Sequence, residues 1–123
     1  MVSFIRIYAD EDGESHFVDL EPAFEATEFI PPAPPVLMTP GLGATGYSIE
    51  QVHPGWVGDW HPVPQRVLAV YLSGEGEMVA SDGEARPLVA GTVLLAEDTT
   101  GTGHTSRVVG DDVMHVLIIL LPD

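Results

Sequence analysis

The chain has 123 residues and no cysteine. Disulfides, thiolate nucleophiles and Cys-ligated metal centres are therefore excluded. Positive charge is scarce as well: four basic residues stand against nineteen acidic ones, for a net charge of −15. A surface of that sign repels phosphate backbones and anionic membranes, so neither nucleic acid nor membrane is an expected partner. Long apolar runs are missing. The longest, residues 116–121, is strand-sized and far short of the roughly 20 residues of a membrane-spanning helix. Residues 1–10 hold no basic segment followed by an apolar run, so no secretory leader is expected and a cytoplasmic location is. The acidic run Asp10, Glu11, Asp12, Glu14 lacks the spacing and terminal bidentate Glu of a calcium loop and reads as a solvated turn.

What is abundant is punctuation. Thirteen glycines and eleven prolines break the chain into short segments, which suits an all-β domain of many strands and turns. The length is that of one domain. Strands are expected near residues 4–8, 15–20, 47–53, 67–72, 77–80, 92–96, 104–109 and 113–121. Helical periodicity is weak and confined to 21–28. Pro31, Pro32, Pro34 and Pro35 exclude a helix or central strand from 29–37, because proline lacks the amide donor. An extended arm is expected there, packed along the body or over a neighbouring subunit. In 47–53, Tyr47, Ile49, Gln51 and His53 share one face, and Ser48, Glu50 and Val52 the other. A carboxylate prefers water, so the odd-numbered face is expected to point inward.

Two spacings carry the chemistry. His61 follows Gly55 by six residues with Gly74 closing the stretch, and Gly91 precedes His104. These residues resemble the two motifs of the cupin superfamily, in which the first reads Gly, five residues, His-x-His, three residues, Glu, six residues, Gly. Residues 6–10, 13–17, 31–35, 97–101 and 103–104 are similar to a narrower group of small single-domain bacterial cupins. The resemblance implies a double-stranded β-helix, a jelly-roll barrel with an extended N-terminal arm. Residues 1–40 would supply strands and the Pro-rich arm, residues 41–123 the barrel, and two copies a homodimer. The chain departs from the pattern where the metal sits. Val63 stands in place of the second His and Val67 in place of the Glu. The Pro-x-Gly before the second-motif His is also absent.

Strand parity groups Asp59, His61, Val63, Gln65, Val67, Ala69 and Tyr71 on one face, which the cupin resemblance implies is the inner one. Three readings follow. In the leading one the barrel binds an apolar or carbonyl-containing small molecule without a metal. His61 or His104 moves a proton, Asp59 or Asp98 orients the imidazole, and Gln65, Tyr47 or Tyr71 polarises a carbonyl, with Gln51, Val63, Val67 and Trp60 lining the site. Isomerisation, dehydration and cyclisation fit that equipment, and no cofactor is needed. In the second, His53 joins His61 and His104 around a divalent Fe, Zn, Ni or Mn ion, for a dioxygenase or lyase. In the third, the histidines only hydrogen-bond the interior and the barrel binds a ligand without turnover. Trp56 and Trp60 either wall the pocket mouth or plug the barrel end. Arg66 pairs with a surface acid, or enters the pocket if Pro62 and Pro64 invert the pleat.

Overall fold

Alternating apolar segments cut by glycine turns give twelve strands and no helix in a computed structural model that describes residues 2–123; Met1, first residue of the expected N-terminal segment, lies outside them. The strands are β1 (Ser3–Ala9), β2 (Ser15–Asp19), β3 (Glu25–Thr27), β4 (Val36–Met38), β5 (Gly46–Val52), β6 (Val57–His61), β7 (Val67–Ser73), β8 (Glu75–Ala80), β9 (Ala85–Val89), β10 (Thr92–Glu97), β11 (His104–Val108) and β12 (Met114–Leu120). A six-stranded sheet runs β2-β1-β10-β7-β12-β5 and a four-stranded sheet β6-β11-β8-β9. Within these two sheets all pairings are antiparallel except β1 with β10.

Both sheets feed one core. Ile5, Ile7, Ala69, Tyr71, Leu94, Ala96, Met114 and Val116 of the larger sheet are buried with Met78, Ala80, Leu88 and Val108 of the smaller. The alternation of buried and half-buried residues along β10 is the period-2 pattern of a strand with one face inside. At the end of β10, Glu97 accepts hydrogen bonds from Arg6 of β1 and from Arg66 in the turn before β7. Burial alone would raise the Glu97 pKa, but the two guanidiniums hold it below the usual carboxylate value. Arg66 also donates to the Pro122 carbonyl and so stays out of the interior.

Residues 20–45 depart from expectation. The weak helical pattern at 21–28 resolves instead into β3, paired only with β4 as a two-stranded hairpin. A helix that short without a packing partner does not hold in water. The arm does not lie along the body either: Phe24, Phe29, Ile30, Val36, Leu37 and Leu42 are all exposed in the single chain.

The facing of β5 is not that expected at Tyr47, Ile49, Glu50 and Val52. Glu50 and Val52 line a cavity with Tyr71 and Val116, and Gln51 and His53 line it too, while Tyr47 and Ile49 are exposed, Tyr47 with 78% of its surface. Alternation defines two faces but not which is inner. Glu50 can take the cavity side because it sits at the open rim, where water still reaches it. Tyr47 therefore does not reach the interior, and the Gln51 amide bonds His115.

Candidate functional site

The β6 and β11 strands bring two imidazoles together. His104 opens β11 and pairs with His61 at the end of β6. Their ring centroids are 4.9 Å apart, tilted by 55°. Two residues later on β11, Ser106 pairs with Gly58, three residues earlier on β6. The strand pair thus contains a bulge, and β6 carries the extra residue. Bulges re-aim side chains. Asp59 lies inside this one, and its carboxylate is spent on its own main chain: Oδ1 accepts from the Trp60 amide.

Each imidazole is held through Nδ1. His104 Nδ1 lies 2.6 Å from Asp98 Oδ2, with Asp98 fully buried and His104 only 6% exposed. His61 Nδ1 lies 2.7 Å from the Asp59 carbonyl oxygen. A carbonyl oxygen only accepts, so His61 Nδ1 carries the hydrogen and Nε2 is left with its lone pair. The Asp98 carboxylate imposes the same tautomer on His104. His61 is therefore oriented by the Asp59 main chain, not by its carboxylate, while Asp98 orients His104 with its side chain. The second Asp98 oxygen, Oδ1, is buried with no hydrogen-bond partner among the described residues.

Two local features hold this geometry. Gly103 enters β11 at φ 74°, and a Cβ there would overlap the His61 carbonyl and the Pro62 nitrogen. Only glycine allows that approach in that conformation. Ser15, fully buried, donates from Oγ to the Gly103 carbonyl at 2.7 Å and accepts from the Ser81 amide at 2.8 Å. Reading the sequence for reactive groups gives neither residue a role, since neither carries site chemistry of its own.

The remaining candidates scatter. Val63 is buried beside this loop, its amide bonded to the Asp98 carbonyl at 3.0 Å, and Val67 packs against the core. The Gln65 amide is committed to the Leu121 carbonyl at 3.2 Å. Trp60 is 45% exposed. Tyr71 is buried in the wall of a cavity of about 630 Å³ that also takes in Glu50, His53, Trp56 and Ser106, but neither His61 nor His104. His16 lies away from the pair, clamped between Asp10 and Asp82.

The fit to a metal can be judged from these donors. Zinc and iron sites take at least three protein ligands. His61 and His104 offer two nitrogens, Asp98 is engaged by His104, and His53 stands in the wall of the separate cavity. Among the described residues no group of three His, Asp or Glu side chains converges on one point. The expected His53, His61, His104 set is not assembled, and the donors at the histidine pair do not fit such an ion.

Neither a protein-family model nor a curated protein sequence matches this chain.

Proposed function

We propose that the chain is a small cupin-type protein, its two sheets forming the jelly-roll barrel of that superfamily, and that it transfers protons on a carbonyl-containing small molecule. The observation that supports this most is the buried Asp98–His104 pair at 2.6 Å, set against His61 with both rings held through Nδ1 and both Nε2 lone pairs left for a ligand. A base must be neutral and correctly oriented before it can act, and then its cation must be stabilised. Asp98 supplies both. It fixes the Nδ1–H tautomer, so His104 Nε2 can take a proton from the carbon next to a carbonyl. It then neutralises the imidazolium in a buried setting, where charge complementarity counts for more. His61, more exposed, can take a proton from water on its free Nε2 while Nδ1–H stays on the Asp59 carbonyl, and deliver that proton to the oxygen or to a leaving hydroxyl; the proton held by His104 is given up to water to close the cycle. Enolisation in this sense underlies isomerisation, dehydration and cyclisation alike.

The test needs no knowledge of the natural substrate. The protein is incubated in D2O with small cyclic and acyclic ketones, and loss of the α-hydrogen signals is followed by proton NMR. Exchange above the buffer rate is expected with the intact protein and not with His104→Ala. Background exchange with every ketone, or full exchange by the variant, would leave the enzyme reading without support.

The exposed apolar surfaces favour a homodimer. The arm presents Phe29, Ile30 and Leu37, and the outer face of β5 and β12 presents Ile49, paired with Leu117, and Tyr47, which lines a groove of about 580 Å³ with Leu117 and Ile119. Exposed apolar patches of this extent mark interaction surfaces. Light scattering on a sizing column should give twice the 13.1 kDa chain mass. Ile49→Asp should return the chain mass with an unchanged circular dichroism spectrum.

A further inference from the structure

The cavity under β5 has a chemistry distinct from the histidine pair. Its walls are apolar, from Val52, Leu88, Met114 and Val116, with Trp56 at one side. Its polar lining is one carboxylate, Glu50, two hydroxyl residues, Tyr71 and Ser106, one amide, Gln51, and one imidazole, His53. Tyr71 is 6% exposed. It does not ionise to compete with Glu50: burial, and then the Glu50 charge, push its pKa well above the usual phenol value.

Glu50 sits at the cavity rim, open to water on one side, and forms no salt bridge among the described residues. Partial burial on its other side raises its pKa, which is the signature of a carboxylate lacking a counter-charge. The chain has no arginine to offer it. Its four basic residues are Arg6, Arg66, Arg86 and Arg107, and each is already paired: the first two with Glu97, the third with Glu84 and Asp19, the last with Glu77. None of them lines the cavity.

We infer that this cavity binds an organic cation, an ammonium group carried on an apolar or aromatic body, with Glu50 as its counter-ion at the rim. The inference does not rest on the proton-transfer reading, because neither His61 nor His104 lines the cavity. Three features select the class. A carboxylate with an apolar wall on one side is stabilised by an opposite charge more than one in open water. An indole attracts a cation, and Trp56 is among the lining residues. The Tyr71 and Ser106 hydroxyl oxygens can accept N–H donors from an ammonium. The volume of about 630 Å³ falls within the range of small-molecule sites and admits a single aromatic ring with its side chain. An anionic ligand of the same shape would meet Glu50 with no guanidinium or ammonium in the lining to offset it, His53 being the one basic side chain there.

Calorimetric titration with three isosteric probes tests this: benzylammonium, benzyl alcohol and benzoate. The full chain should bind benzylammonium at least about tenfold more tightly than the alcohol, the scale of one well-placed charge pair, and benzoate not measurably. Glu50→Gln should erase the difference between ammonium and alcohol. His104→Ala should leave it intact, which separates failure here from failure of the proton-transfer reading. Glu25→Gln, which removes an exposed carboxylate on the arm, should also leave it intact. Equal binding of ammonium and alcohol by the unaltered protein would overturn the inference. So would a preference that survives Glu50→Gln, since the cation would then be held only by the general negative charge of the surface.

Discussion

Asp98→Asn is expected to lower ketone α-hydrogen exchange by about 10²–10⁴-fold, the usual contribution of a positioned acid–base group, while leaving the fold intact. The two effects separate because Asp98 acts on His104 and not on the core. An asparagine fills the same volume. If its amide nitrogen faces His104 Nδ1, the ring must place its hydrogen on Nε2, and the lone pair that accepts the substrate proton is lost. If its carbonyl faces Nδ1, the tautomer is kept but the imidazolium has no counter-charge. Both outcomes slow proton abstraction. Stability should move the other way or not at all. Asp98 Oδ1 is buried without a partner among the described residues, and an unpaired buried carboxylate oxygen is costly to keep. A thermal melt equal to or above that of the unaltered protein, together with lost exchange, is the expected pair of results. A large loss of Tm would instead make Asp98 a structural anchor, and unchanged exchange would remove it from the chemistry.

Strand positions were largely legible because alternation and glycine turns are local signals. Residues 67–72 and 92–96 needed only their own apolar pattern to be placed. The meeting of His61 and His104 was implied by the resemblance to a known pair of motifs, not by any local pattern. What escaped depends on neighbours that no local pattern records. Glu50 takes the cavity side because that cavity has an open rim, and its walls come from β7, β9 and β12 as much as from β5. Asp59 is spent on its own main chain inside a bulge defined by pairing with β11. A bulge resets a period of two, so parity fails at Asp59, whereas Val63, Val67, Ala69 and Tyr71 beyond it keep the inward side expected of them. The exposed arm has the same origin: Phe29 and Leu37 look like core residues by type, yet the single chain gives them nothing to pack against.

Gly103→Ala carries the largest expected effect on stability and takes the site with it. The residue sits at φ 74°, where an L side chain costs about 1–2 kcal/mol. Its Cβ would also overlap main-chain atoms of His61 and Pro62, which cannot swing aside as a flexible side chain would. Forcing such an atom into a packed position costs a further 1–3 kcal/mol, roughly, so the sum is about 2–5 kcal/mol. For a chain of this size that is a fall in Tm on the order of 10 °C. Gly110→Ala isolates the second part. Gly110 has φ 82°, but an added Cβ there would meet nothing within 4 Å, so only the conformational cost applies. The difference between the two melts then measures the contact with His61. Because relief requires the His61 main chain to retreat, the 4.9 Å ring separation must open, and α-hydrogen exchange should fall even at temperatures where the variant is folded. Equal melts for Gly103→Ala and Gly110→Ala would mean that β6 yields freely at His61, and a site that yields freely there is not held in register by the entry to β11.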